Sequence, residues 1–150
     1  MKKTAVALLL AMIPVAALAQ VSVKDAWIRA TVPQGTATGA FMQLVSARDA
    51  RLVAVHSAVA GVAEVHQMAM SGQTMTMHPV DGIDLPAGQP VDLASGGYHI
   101  MLMELKHQLK AGETVPLTLV IRNKGSKKTE DVVVQVPVKP LAYVAPAAKP

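Results

Sequence analysis

The sequence predicts an all-β protein, an antiparallel sandwich or barrel of about eight or nine short strands. Two observations support this fold class. After residue 20, short segments with alternating apolar and polar residues are separated by turns rich in glycine and proline. No segment shows the apolar period of about 3.6 residues that a helix longer than one or two turns requires. Many short strands joined by such turns are typical of sandwiches and barrels.

The first part of the mature chain contains three predicted strands, at residues 21–30, 39–46 and 51–58. Each shows period-two alternation, and a loop rich in glycine and proline separates the first two. The first strand contains Trp27, the only tryptophan. We expect its ring to be buried against the opposite sheet.

The second part of the chain begins with a predicted hairpin that starts at Val62 and is closed by Pro79. Further alternating segments predict strands at residues 91–93, 98–103, 115–122 and 131–138. No internal repeat and no linker divides the chain, so residues 20–139 are predicted to form one domain. Residues 140–150 are rich in proline and alanine and are predicted to be a flexible tail.

Residues 1–19 are predicted to be a cleaved signal peptide. Lys2 and Lys3 form a basic start, residues 5–16 are apolar, and Ala17-Leu18-Ala19 is a small-x-small cleavage site. The apolar stretch is short for a transmembrane helix, which makes an uncleaved anchor the weaker alternative. Cleavage would leave Gln20 as the first mature residue. The protein would then be exported, most simply to a bacterial periplasm.

Composition and motifs exclude several functional classes. The net charge of +4 is too weak and too dispersed for a nucleic-acid-binding surface. Aromatic residues make up 3% of the chain, which argues against base-stacking or carbohydrate-binding surfaces. There is no cysteine, so neither a disulfide nor a thiolate ligand can form. The motifs of serine hydrolases, P-loop NTPases, dinucleotide-binding folds and zinc proteases are missing, and we do not expect an enzyme.

Histidine and methionine concentrate between residues 65 and 103, which hold three of the five histidines and six of the nine methionines. The first half of this stretch is the predicted hairpin. A two-residue turn at Ser71-Gly72 would place His66 directly opposite Met77. A four-residue loop would instead make these two residues diagonal neighbours, still on one face.

The strand at the end of this stretch adds further donors. His99, Met101 and Met103 share one face of that strand, and Ile100 and Leu102 take the other. If the first face meets the hairpin, two imidazoles and two thioethers converge. This soft, neutral set suits Cu(I), whereas Zn(II) gains little from thioethers and Ca(II) or Mg(II) prefer oxygen.

The chemistry of such a site favours a copper carrier. Neutral ligands favour Cu(I) over Cu(II) where the dielectric constant is low. Because the site has no thiolate, it should hold copper yet release it to an acceptor that contains cysteine. A blue-copper electron carrier is excluded because it needs a cysteine ligand.

The methionine pattern has a second interpretation, since methionine commonly fills irregular gaps in a core. The pattern alone therefore does not decide whether these methionines bind a metal or only pack in the core. Met68, Met75 and Met103 lie on the same faces as the donors and are predicted to form a hydrophobic collar around the copper. His78 follows Met77 but should point to the other face, and an accessory role for it is left open.

At these residues the chain resembles the PCu(A)C-type periplasmic copper chaperones. That family's motif is a histidine, sometimes a methionine, then ten residues, a methionine, twenty-one residues and His-x-Met. His66, Met77, His99 and Met101 fit this spacing without a gap. The resemblance extends over residues 23–138 and so covers nearly all of the mature domain.

The resemblance implies a cupredoxin-like Greek-key β-sandwich that carries one Cu(I) per chain, with His66, Met77, His99 and Met101 as ligands. It implies delivery of copper to the binuclear site of cytochrome oxidase. The expected partner is a copper-accepting periplasmic protein, either an oxidase subunit or its assembly factor. We expect a monomer without a membrane span after signal cleavage. Residues 142–150 lack histidine and methionine, so no second copper site is expected there.

Two alternative functions stay open on the sequence alone. The first is a structural or assembly module that binds a protein partner and uses methionine only for packing. The second is a periplasmic copper buffer without a specific acceptor. Binding of Cu(I) separates the first alternative from a carrier, and transfer to an acceptor separates the second.

Overall fold

A computed structural model describes residues 20–146 of the chain. In this part the protein is built from strands, turns and loops alone, which confirms the predicted all-β class. None of its elements is a helix long and apolar enough to cross a membrane. The predicted signal peptide, residues 1–19, lies outside the described part of the chain, as do residues 147–150 of the predicted tail.

The strands number ten, one or two more than expected. In chain order they are β1 (Val21–Arg29), β2 (Ala37–Ser46), β3 (Ala50–His56), β4 (Ala60–Ser71), β5 (Thr74–Val80), β6 (Ile83–Leu85), β7 (Pro90–Leu93), β8 (Tyr98–Leu105), β9 (Thr114–Asn123) and β10 (Thr129–Lys139). The sequence did not predict β6, because three residues between turn signals are too few to show alternation.

The strands follow one hydrogen-bonded path, β5-β4-β8-β2-β1-β10-β9-β3-β6, with β7 paired to β2. All pairs of these strands are antiparallel except β1 and β10, which run parallel at Ile28–Val138 and Arg29–Lys139. The predicted antiparallel sandwich therefore has one short parallel contact, where the first strand meets the last. Buried residues from both ends of the path form one core cluster, so the two halves of the path pack against each other.

Alternation along the strands decides which residues enter this core. On β9, Leu117, Leu119 and Ile121 are almost fully buried, and the residues between them are more exposed. On β8, Ile100 and Leu102 are 0% exposed and face the core. Burying such a side chain stabilises a fold by about 1.5–3 kcal/mol. His99, Met101 and Met103, which alternate with them on β8, must then lie on the opposite face, which we call the outer face.

A bulge in β1 moves Trp27 to this outer face. The pairing with β2 shifts between Lys24 and Trp27, and Asp25 within the bulge has a φ of 51°. After the bulge Ile28 faces the core, and Trp27 lies directly opposite Phe41 on the outer face. Trp27 is buried, but the expectation that it packs against the opposite sheet is wrong. The extra residue of the bulge reverses the alternation that the sequence shows.

The first residues of the predicted tail fold back onto the outer face. The backbone N–H of Tyr143 donates to Pro140 O at 2.9 Å and closes a turn. Arg29 Nη1 donates to Leu141 O at 3.0 Å, and the Tyr143 ring meets the Trp27 ring edge to face, with centroids 4.9 Å apart. These contacts cover Trp27 with the chain's own C-terminal segment.

A surface ion-pair network joins β3, β6 and the turn after β9, and it yields a prediction about stability. Arg51 donates to Asp84 and to Asp81, each at 2.8 Å, and Lys124 Nζ lies 3.1 Å from Asp84. The hydrogen bond from Arg51, helped by Lys124, lowers the pKa of Asp84. A carboxyl group whose pKa is lower in the folded than in the unfolded protein stabilises the fold at pH values above the unfolded-state pKa. This stabilisation is lost as the pH falls through the folded-state pKa.

Asp84→Asn should therefore destabilise the protein slightly at pH 7, because exposed pairs contribute little. The difference from wild type should shrink in strong acid and in high salt. Urea unfolding of both proteins at pH 7 and near the acid limit of folding checks this. A difference that grows on acidification would contradict it.

Candidate metal centre

Three neighbouring strands bring the predicted ligands together on the outer face. β4 lies between β5 and β8, and His66 on β4 is directly opposite His99 on β8. Their ring centroids are 6.1 Å apart. Met101 is two residues beyond His99 on the same face, and Met77 on β5 lies diagonally across from His66. All four residues of the predicted set thus share one face.

The register of the β4–β5 hairpin differs from the one that a Ser71-Gly72 turn predicts. His66 lies opposite Pro79, and Met77 lies opposite Met68. The turn is Gly72-Gln73, flanked by the pair Ser71 and Thr74, and Gly72 has a φ of 65°. Glycine thus takes the first central position, where a two-residue turn of type II′ needs positive φ. The prediction that His66 and Met77 are directly opposed is wrong, and the diagonal alternative has the observed register.

His99 is buried, at 5% exposure, and a hydrogen bond to the backbone holds its ring orientation. Its Nδ1 lies 3.3 Å from Gly97 O, which is a stronger acceptor than the thioether beside Nε2, so we assign the ring proton to Nδ1. The lone pair is then on Nε2, which lies 3.1 Å from Met77 Sδ. Bonds of about 2.0 Å to nitrogen and 2.3 Å to sulfur at a tetrahedral angle would separate two such donors by about 3.5 Å. Small side-chain shifts would let both atoms bind one ion.

His66 is buried at 7% exposure, and one of its two ring nitrogens makes a hydrogen bond. Its Nε2–H donates to Glu64 Oε2 at 2.9 Å, which leaves the lone pair on Nδ1. This Nδ1 is buried and has no hydrogen-bond partner. Buried polar atoms are nearly always satisfied, so an orphaned imidazole nitrogen next to a second imidazole fits a metal ligand.

Glu64 is the functional residue that sequence reasoning missed. It lies directly opposite Met101 and two residues before His66, so it shares the outer face with both. A carboxylate that holds the second nitrogen of a metal-binding histidine fixes the tautomer and the ring orientation. The signal in the sequence was its period-two spacing from His66, which places a carboxylate beside the ring.

Two aromatic rings pack beside His99. The Phe41 ring centroid is 6.3 Å from that of His99 and 4.6 Å from that of Trp27. Gly39, which pairs with Met101, has no Cβ, and a Cβ there would lie 2.8 Å from the Phe41 ring. Gly39 therefore leaves the space in which the Phe41 ring packs. The Phe41 ring therefore packs beside the His99 imidazole, with Trp27 behind it.

The other histidines and methionines lie outside this arrangement. His78 is exposed and pairs with Gln67 on the other face, as predicted for its direction. Met68 pairs with Met77, and Met103 lies one step beyond Met101 along β8. Met75 lies at the tip of the hairpin opposite Met70 and is 47% exposed, as Met77 is, and the predicted collar around the copper stays a prediction. The β4–β5 hairpin extends beyond β8, which leaves its tip in solvent.

Sequence comparisons find a family and a relative that this chain resembles. Residues 21–138 match the family described as "Putative lipoprotein LpqE-like". The putative lipoprotein Lxx21020 of Leifsonia xyli subsp. xyli is 34% identical over 100 residues, or 66% of this chain, and the match spans 60% of that relative's length.

Two solved structures extend the comparison. The copper-bound PCuAC domain from PmoF2 is 25% identical with a TM-score of 0.64, and the match covers 83% of this chain and 96% of that domain. The Cu(I) form of DR1885 from Deinococcus radiodurans is 31% identical with a TM-score of 0.54, over 83% of this chain and 81% of that protein. The match over residues 21–138 shows that this chain belongs to the LpqE-like family, with the cupredoxin-like fold of PCuAC domains.

Proposed function

We propose that this protein is an exported Cu(I) carrier in which His66, Met77, His99 and Met101 hold one copper ion per chain. The observation that carries the proposal is the meeting of two buried, directly opposed imidazoles with a thioether 3.1 Å from His99 Nε2. The family motif spacing supports it. So do the structural relatives, which are described as a copper-bound PCuAC domain and as CuI-DR1885.

The donor set favours Cu(I) over harder ions. Imidazole nitrogen and thioether sulfur are neutral, so the four proposed ligands leave the bound Cu(I) with a net charge of +1. Thioethers add little to Zn(II) affinity and nothing to that of oxygen-preferring ions. Glu64 places a negative charge next to His66, and this offsets the charge of Cu(I) in a partly buried site. Cu(II) would leave a larger charge uncompensated.

The same chemistry suits a carrier that passes copper onward. Thiolates bind Cu(I) more strongly than neutral thioethers, and the chain has no cysteine. Copper should therefore move down an affinity gradient to an acceptor that contains cysteine. We propose that this acceptor is a subunit of cytochrome oxidase or its assembly factor. Copper transfer to this acceptor takes place in the periplasm after removal of residues 1–19. The protein acts as a monomer and does not catalyse a reaction.

Anaerobic titration with Cu(I) in competition with a chromogenic chelator tests the binding step. The mature protein should saturate at one tight equivalent. A module that uses its methionines only for packing would take none. Mixing the loaded protein with a peptide that carries two cysteines should then transfer the copper. Tight binding without transfer would support a buffer instead of a carrier.

A further inference from the structure

The tip of the β4–β5 hairpin carries methionines that the four-ligand site does not use. Met70 is 62% exposed and Met75 is 47% exposed, and the two are directly opposite each other. They lie on the outer face, in the same row as the directly opposed pair Met68 and Met77. Four thioethers thus form two consecutive cross-strand pairs that lead from the solvent to His99.

Packing does not account for the two residues at the tip. An apolar side chain left about half exposed gains little from burial. Three of the seven large hydrophobic side chains that are exposed in residues 20–146 are methionines of this one hairpin. Edge strands are usually protected by charged residues or proline, and β5 presents methionines instead along the part near the turn. Besides being apolar, these side chains each carry a soft sulfur donor, which valine and leucine lack.

The spacing lets these sulfur atoms reach a common ion. Directly opposed residues have Cβ atoms about 4.5–5.5 Å apart, and residues two apart along a strand are separated by about 6.6–6.8 Å. Methionine has three rotatable side-chain bonds, so its sulfur can move over several ångströms. The sulfurs of Met70, Met75 and Met68 can therefore meet, and Met77 lies opposite Met68, with its sulfur at His99.

We propose that Met70 and Met75, with Met68 behind them, form a second Cu(I) site on the surface, through which copper enters and leaves the four-ligand site by way of Met77. This inference rests on the proposed function, because both sites take the same ion. The tip site has only neutral thioethers and is exposed, so it binds more weakly than the buried site. It is also independent of pH, because thioethers do not titrate and protons compete only for imidazoles.

The experiment follows the methyl group of each methionine by NMR during anaerobic titration with Cu(I), and with Ag(I) as a redox-inert probe. The first equivalent should shift the methyl signals of Met77 and Met101. The second should shift those of Met68, Met70 and Met75, and it should still do so at a pH at which the first equivalent is released.

The variant Met70→Leu/Met75→Leu should lose the second equivalent, load the first more slowly and keep the equilibrium affinity for the first. Met103→Leu, a methionine on the outer face away from the hairpin, is the matched control and should retain both equivalents. If the Met70 and Met75 signals do not move when the second equivalent is added, the tip site alone is overturned. Unmoved Met77 and Met101 signals would overturn the proposed function, whatever the tip residues show.

Discussion

Replacing Met77 and Met101 together by leucine should remove most of the Cu(I) affinity while leaving the fold intact. Leucine keeps the apolar volume and removes only the sulfur, so the free energy of unfolding should change by less than about 1.5 kcal/mol per site. Met77 is 47% exposed, so its replacement should change the free energy of unfolding even less. Changing residues that only support a ligand typically lowers metal affinity about 10- to 100-fold, so removing two direct ligands should exceed the upper end of that range.

Competition against a chromogenic chelator under anaerobic conditions measures this loss, and urea unfolding of the apo proteins measures stability. Met103→Leu again serves as the control, because Met103 follows Met101 on the same strand and face but lies outside the proposed set. If the double variant competes for Cu(I) as well as wild type does, the thioethers are packing residues and the ligand assignment is wrong.

Acidification should weaken Cu(I) binding steeply, because protons compete with the metal for the lone pairs of His66 and His99. The lone pairs on His66 Nδ1 and His99 Nε2 bind either a proton or the metal, whereas the two thioethers take no proton in this range. In acid the apparent affinity should fall by up to about two decades per pH unit, one decade for each imidazole that must lose a proton. It should level off in mild alkali.

The double variant His66→Met/His99→Met separates this effect from acid unfolding. It should lose the pH dependence and retain weaker binding through sulfur alone. Circular dichroism at each pH verifies that both apo proteins remain folded. A wild-type affinity that does not change with pH while the protein stays folded would mean that neither imidazole touches the metal.

Much of the framework of the site could be predicted from the sequence. Period-two alternation placed His99 and Met101 on one face of a strand and Ile100 on the other, as the structure has them. The hairpin was also evident. Its register was not, because Ser71, Gly72 and Gln73 all tolerate a turn and only backbone geometry decides which pair is central. Both registers keep His66 and Met77 on one face, so the predicted ligand set did not depend on the choice.

Other features depend on contacts that a linear pattern does not contain. The bulge in β1 sends Trp27 to the outer face, and no residue type in the sequence marks the position where the alternation reverses. The bond between Glu64 and His66 becomes evident only once His66 is known to be buried and its Nδ1 to be without a partner. The return of Tyr143 to Trp27 joins residues far apart in the sequence. In each case tertiary packing decides among local options that the sequence leaves equal.

X-ray absorption at the copper edge of the protein loaded with one equivalent of Cu(I) tests the proposed centre most directly. His66, His99, Met77 and Met101 should give an edge typical of Cu(I), with two nitrogen scatterers at about 2.0 Å and two sulfur scatterers at about 2.3 Å. The sulfur shell should disappear when Met77→Leu/Met101→Leu is combined with Met70→Leu/Met75→Leu, which also removes the two exposed sulfurs of the tip, and it should persist in Met103→Leu. A wild-type spectrum with nitrogen and oxygen scatterers but no sulfur would contradict the proposed centre.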